Sequence, residues 1–479
     1  MRVLFIYPDI LPGKHFSGYY YMGVGYLAAV LKRAGHVPSL LHITKPIEKA
    51  DLIRAVKEYR PDLIAFSSTT NMFPYVKIWA KVITENYDVP TICGGIHPTL
   101  SPVDSISTEG LDMICRGEGE GALVELCDAI ESGKEVERIG NLWIKKNGGI
   151  VQNPMRPLIR DLDSLPFPDR EVFDFANLEL SKEGRGLFFA SRGCPYDCSY
   201  CCNRALQESY QDSPVKVPYV RFRSVGNVIS EIQTVLKKYP FIKTLHFDDD
   251  ILPLNKKWFA EFAEKYGNEV HLPFSCNIRP NLVNEGLVEL LKRAGCYQAQ
   301  LGVESGNKYL RNQILNRGVS DEQIINAFSL CRRAGIQTYS YSMIGLPFED
   351  MRGIFETIKM NGKVMPDLMQ VTIFYPYLKT KLYNVCQEKG FLTERVLTYY
   401  TDESILRLPT LSETNLTFTK YFFRRLARVY SKLAVLPPPV AKAIGRTLEK
   451  VLSREWIQFS LLQLYYSLRF VNRLVSPHP

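Results

Sequence analysis

Ser191-Arg192-Gly193-Cys194-Pro195-Tyr196-Asp197-Cys198-Ser199-Tyr200-Cys201 carries three cysteines at C-x-x-x-C-x-x-C spacing. The stretch follows Leu187-Phe188-Phe189-Ala190, a short apolar run that reads as a buried strand. A loop leaving a strand end is where α/β barrels place their chemistry. Three thiolates on one curled loop suit three irons of a 4Fe–4S cluster and leave the fourth iron open to a small molecule. A structural zinc site needs four closing ligands, usually as two spaced pairs, and Cys202 sits too close to Cys201 to complete one. Disulfides need an oxidising compartment. Met1 to Pro8 is too short and too soon broken to be expected to act as an export signal.

With an aromatic residue before its last cysteine, the stretch resembles the signature of the radical SAM superfamily. The resemblance implies that Cys194, Cys198 and Cys201 are the metal ligands and that Cys202 lies outside the motif. Downstream, strand-like runs alternate with amphipathic helices to about residue 400, the pattern of a partial β/α barrel. Several runs end in polar residues or glycine. For these the resemblance implies contacts to S-adenosylmethionine (SAM). Asp248 and Asp249 fall where the amino group is held, although the family's usual Gly-Gly-Glu is absent. Arg279 is expected to face the carboxylate, Glu304 and Ser305 the ribose or carboxylate, and Gly345-Leu346-Pro347 the adenine side. Any one of them is also what a solvated barrel rim would carry.

Upstream, Val3–Tyr7, Leu40–Ile43, Leu63–Ser67, Thr91–Gly95 and Met113–Cys115 read as strands separated by helices, which predicts a doubly wound parallel sheet. Ligands bind at the carboxyl ends of such strands. Those ends carry Ser67-Ser68-Thr69-Thr70, Gly94-Gly95-Ile96-His97 and Arg116-Gly117-Glu118-Gly119-Glu120. Glycine lets backbone approach a ligand without a side chain between. Together these ends resemble the cobalamin-binding domain of cobalamin-dependent radical SAM enzymes. That implies cofactor contacts at Ser67, Ser68, Thr69, Gly94, Gly95, His97 and Glu118, with His97 expected to shape its loop and not to bind metal. The Asp-x-His-x-x-Gly cobalt motif of other cobalamin domains is incomplete here. Gly13 stands where its Asp would orient His15, so His15 is expected to be a solvated loop residue.

The expected organisation is thus α/β: a Rossmann-like cobalamin domain over 1–140, a Pro- and Asp-rich linker over 141–185, a radical SAM domain over 186–400 and a basic helical extension over 401–479. From Lys420 onward, eleven Lys and Arg face two Glu, +9 in all, so the body of this net +9 chain is neutral. That excludes a nucleic-acid groove across the body. The tail's apolar residues recur at helical spacing, which fits a helix capping the barrel or lying on an anionic membrane; capping is favoured. No run of 18 apolar residues suggests a spanning helix, and a reducing cytoplasm fits.

The resemblance implies a methyltransferase that reaches an unactivated carbon through a 5′-deoxyadenosyl radical, with a 4Fe–4S cluster, SAM and cobalamin as cofactors. It also implies an electron donor such as flavodoxin or ferredoxin. A small or lipid-like substrate is expected, without its identity being readable. A cobalamin-dependent oxidative cyclase or rearrangement enzyme stays open. So does a methylthiotransferase drawing a second cluster from Cys93, Cys115 and Cys127, and so does a cobalamin-sensing module.

Overall fold

A computed structural model describes residues 1–11, 16–211, 213, 215–398 and 403–475, with side chains to 468. His15 lies outside the described residues. Two parallel sheets organise the chain. The first contains β1 (Arg2–Pro8), β2 (Val37–Ile43), β3 (Leu63–Ser67), β4 (Thr91–Gly94), β5 (Met113–Cys115), β6 (Leu142–Lys146) and β7 (Gly149–Gln152). Their order is β2-β1-β3-β4-β5-β6-β7, with the first five parallel and the last two antiparallel. Continuous apolar runs suit this position because helices cover both faces: Val3 and Phe5 enter one core, Leu4 and Ile6 the other.

The β6–β7 hairpin carries the sheet beyond residue 140, so the expected linker begins only after Gln152. Asn147 and Gly148 make the turn at φ 51° and 75°. Left-handed conformations at both positions match a two-residue turn to strand twist.

The second sheet takes β8 (Arg185–Phe188), then β11 (Thr244–Phe247), β12 (Phe274–Ile278), β13 (Cys296–Glu304), β14 (Gln337–Ile344) and β15 (Leu368–Ile373), in that order and all parallel. It is a curled half-barrel. A short ribbon of β9 (Ser191–Arg192) and β10 (Arg221–Phe222) flanks the cysteine loop. Side-chain alternation divides each strand of the curled sheet. Leu245, Phe247, Phe274, Cys276, Leu301 and Val303 enter the core under the helices. The intervening Ser275, Asn277, Gln298, Gln300, Tyr339 and Tyr341 face the other side.

One core runs through both domains, from Val3 and Phe5 by way of Phe173 and Phe175 to Phe188 and Phe247. A buried ionic tie crosses the same seam. Glu231 sits 2.8 Å from Arg170 of the linker and also pairs with Arg223, all three buried. Arg170 donates to Leu187 O at 2.9 Å and lies over the rings of Tyr20 and Phe188.

In the tail, helix Glu413–Leu433 buries Phe418, Phe423, Leu426, Ala427 and Tyr430. It packs on helix Met351–Val364 and on β15. Gly362 has backbone of Ala427 where a Cβ would stand. This helix caps the curled sheet. Helices Pro438–Leu452 and Glu455–Val475 follow it. Among the described residues no helix is long and apolar enough to cross a membrane.

Glu231→Gln leaves two buried guanidinium groups without their counter-charge. We expect a loss of about 3–5 kcal/mol, read as a lowered thermal midpoint and faster proteolysis between residues 153 and 184. An unchanged midpoint would refute this role.

Candidate active site

A cavity of about 520 Å³ lies between the carboxyl ends of the two sheets. On one side are Ser67, Gly94, Gly95, Gly117 and Glu118. On the other are Leu187, Phe189, Ser191, Asp248 and Asp250. Tyr21, Tyr26, Tyr210 and Tyr219 make much of its wall aromatic. Gly95 at φ 105° brings its backbone against Ser68, with no room for a Cβ. The β3 and β4 ends are therefore tightly joined beneath the cavity. A broad aromatic-walled chamber over bare glycine backbone suits a large planar cofactor.

Four charges hold the two sides together. Arg192 contacts Glu118 at 2.8 Å and Glu120 at 2.6 Å, and Arg221 contacts Glu118 at 2.9 Å. Glu118 also accepts the Ile159 N–H at 2.7 Å. Its two oxygens are thus both engaged, and its main work is clasping the cysteine strand to the first domain. Tyr210 accepts the Glu118 N–H at 2.7 Å.

The other expected first-domain contacts divide. Ser67, Gly94 and Gly95 line the cavity; Ser68, Thr69 and His97 do not. The Ser68 hydroxyl donates to Thr69 O, and that of Thr69 to Asn71. Both ring nitrogens of His97 are engaged, with Thr70 and Asp104, and its ring stacks on Phe73 at 3.9 Å. Burial pushes its pKa down. These three shape the loops instead of facing a ligand.

The cysteine loop leads from β9 into helix Cys202–Ser209. Cys198 is buried; Cys194 and Cys201 are partly exposed. Among the described residues no three His, Cys, Asp or Glu side chains gather around a single-ion site. Three thiols with no fourth ligand suit a multi-iron cluster better than tetrahedral zinc. Hydrogen bonding from Cys202 holds the Cys201 thiol below its ordinary value, while burial pushes Cys194 up to about 11. Two cations converge on this loop. Arg279 Nη1 lies 3.4 Å from Cys198 Sγ and Arg317 Nη1 3.8 Å from it. Arg279 also donates to Arg317 O and lies 3.7 Å over the Tyr196 ring. The Nε–H groups of both arginines are buried and unpaired among the described residues. Donors left over beside thiols fit a group that brings an anionic end, as SAM does with its carboxylate.

Arg317 pairs with Glu304 at 3.2 Å, and Glu304 closes β13 in a left-handed conformation at φ 61°. A Cβ on Gly302 would lie inside this ion pair, so only glycine leaves room for it. Arg317 was not foreseen from sequence; its signal was a lone cation in the Asn316-Arg317-Gly318 turn.

Asp249 departs from expectation. Its carboxylate accepts the Ala190 N–H at 3.0 Å and the Ser191 hydroxyl, and it is 1% exposed. Burial raises it to about 6. Extended backbone points successive side chains to opposite sides. Asp248 and Asp250 therefore line the cavity, while Asp249 anchors the exit of β8. Ser305 is likewise buried, its hydroxyl accepting the Asn307 N–H at 3.2 Å and meeting Thr357. Gly345, at φ 75°, donates its N–H to Glu349 Oε2 at 2.7 Å, and Leu346 donates to the same atom at 3.1 Å. Cys93, Cys115 and Cys127 are buried core side chains, spread over β4, β5 and helix Glu120–Glu131, and burial raises all three thiols.

The sheet pair, the cavity and the cysteine loop define a radical SAM enzyme joined to a corrinoid-binding domain. Residues 17–127 match the B12 binding domain family and residues 189–360 the radical SAM superfamily. The chain thus carries the B12-binding and radical SAM domains of cobalamin-dependent radical SAM enzymes, whose cofactors are cobalamin, a 4Fe–4S cluster and SAM. It is 27% identical to an uncharacterized methyltransferase of Pyrococcus horikoshii, over 93% of this chain and 94% of that one. It is 26% identical to the anaerobic magnesium-protoporphyrin IX monomethyl ester cyclase of Rubrivivax gelatinosus, over 81% of this chain and 70% of that one. The radical S-adenosylmethionine methyltransferase TsrM of Kitasatospora setae shares the fold, with a TM-score of 0.65 and 17% identity over 81% of this chain and 75% of that one.

Glu349 is buried and its Oε1 has no partner among the described residues; burial lifts its pKa to about 8. A carboxyl raised on folding stabilises fully below its unfolded value of about 4.3 and loses that stability as pH climbs through about 8. Glu349→Gln should therefore flatten the thermal midpoint between those limits and raise it at pH 9. A midpoint that keeps the wild-type slope would reject the assignment.

Proposed function

We propose that the protein methylates an unactivated carbon of a small molecule. The observation that carries this reading is the shared chamber: strand ends of the B12 domain and of the radical SAM domain open onto one cavity, within one continuous core. The full-length likeness to a relative named as a methyltransferase supports it. When bound, SAM and the cluster supply radical initiation and cobalamin supplies the transferable methyl group.

The chain's own part is placement. We assign the cofactor tail to Ser67, Gly94 and Gly95, the SAM amino group to Asp248, and its carboxylate to the free Nε–H donors of Arg279 and Arg317. Arg279 and Arg317 also set positive charge beside Cys198. Leu187, Phe189 and the surrounding tyrosines give the chamber a largely apolar wall. On the inner sheet face Tyr341 donates to Gln300, Gln300 donates to Gln298, and Ser275 meets His246, so these uncharged groups brace the strands against one another.

The likeness to a cyclase favours a second reading, the same cofactors without methyl transfer. Turnover with SAM carrying a trideuterated methyl group separates them. A product three mass units heavier per methyl is expected; an unlabelled product rejects methylation. For the cluster, Cys198→Ala should lose most of its iron and its visible absorption, while Cys202→Ala keeps both. Iron lost equally from both variants would overturn the three-ligand assignment.

A further inference from the structure

The last helices present a face that neither sheet uses. Helix Pro438–Leu452 buries only Gly445 and Leu452 among its residues. Val440, Ile444 and Val451 are exposed. Spacings of four and seven place these three in one stripe about 40° wide. Each buried residue lies one position on from a stripe residue, about 100° round the helix, so the stripe lies to the side of the buried face and is left exposed. Lys442, Arg446 and Lys450 recur at intervals of four and wind round the polar side, from opposite the stripe at Lys442 to about 100° from it at Lys450; Arg454 follows just past the helix end, and all four are exposed. None of them has an ion pair among the described residues. The helix's one acid, Glu449, is neutralised 3.2 Å from Lys359 and accepts the Tyr430 hydroxyl.

More apolar surface flanks this helix. Val435 is 84% exposed, and on helix Glu455–Val475 Trp456 and Phe459 are 65% and 54% exposed. Arg428 and Lys432 add positive charge before the turn. The excess charge of the chain is concentrated here, above a neutral body. A helix with an exposed apolar stripe on one side and Lys and Arg on its polar side, with aromatic rings nearby, is the pattern of a helix that lies in the headgroup region of a bilayer. The cationic row supplies the complementarity that singles out an anionic surface.

We propose that helix Pro438–Leu452, with its apolar stripe of Val440, Ile444 and Val451 and its cationic polar side from Lys442 to Lys450, docks the enzyme onto an anionic lipid bilayer, with Arg454 and Trp456 adjoining it in the chain. The contact is peripheral, since no described helix spans a membrane. It leaves the cavity and the cysteine loop untouched.

Flotation of the full-length protein tests this with two vesicle types: phosphatidylcholine alone, and phosphatidylcholine with phosphatidylglycerol in equal parts. Recovery is expected with the anionic vesicles, falling with added salt, and not with the neutral ones. Lys442→Glu/Arg446→Glu/Lys450→Glu should cut recovery by about tenfold or more. Ile444→Ser/Val451→Ser/Trp456→Ser should lower it at low salt too. Both variants should keep the wild-type thermal midpoint, because every changed side chain is exposed. Absence of flotation, equal recovery on both vesicles, or variants that float like wild type would overturn the proposal. So would a sedimenting dimer dissociated by the Ile444→Ser/Val451→Ser/Trp456→Ser variant, since that would give the face to a second copy.

Discussion

Arg192 and Arg221 leave water only because Glu118 leaves with them and Glu120 joins it. A buried charge without a partner is strongly destabilising, and the pairing must be geometrically close to offset desolvation. This requirement decides the arrangement of the whole molecule. The acids stand at the end of β5 in the first domain. The arginines stand on β9 and β10, on either side of the cysteine loop. Once the charges meet, the strand ends of the two sheets must face each other, and a chamber forms between them. The second tie, among Arg170, Glu231 and Arg223, fixes the linker in the same seam and gives the joint two separated anchor points.

Around that joint, alternation along parallel strands separates stability from chemistry. Alternate residues of β11 and β12, and Ala299, Leu301 and Val303 of β13, enter an apolar core, and the residues between them are polar or glycine. At the strand ends the same alternation sends Asp248 and Asp250 toward the cavity and Asp249 into the wall. The mouth near Cys198 carries the opposite charge. Arg279 and Arg317 are held there by a ring face, a carbonyl and a carboxylate, with donors left for a ligand. Gly302 and Glu304 show how closely this is fitted: one position forgoes a side chain and the next but one takes a left-handed backbone so that a single ion pair fits.

The architecture was largely legible because its signals are local. Short apolar runs such as Leu63–Ser67, bounded by polar residues, and the alternating Thr244–Phe247 read as strands, and the intervening helices follow from their period. The three cysteines were legible for the same reason, since their spacing lies within one loop. The contacts at strand ends were less so. Ser68, Thr69, His97, Asp249 and Ser305 belong to the right loops, but their side chains turn into the protein to pair with neighbours.

By itself, the sequence determined the element order, the alternation that makes two parallel sheets, the thiol loop and the cationic tail. These depend on residues near one another in the chain. Only the tertiary structure decided that Glu118 clasps Arg192 and Arg221, that Arg317 joins Arg279 beside Cys198, and which aspartates see the cavity. Each of these is a pairing between charges or polar groups remote in sequence. The cost of burying an unpaired polar group selects the partner only after folding has brought the candidates together.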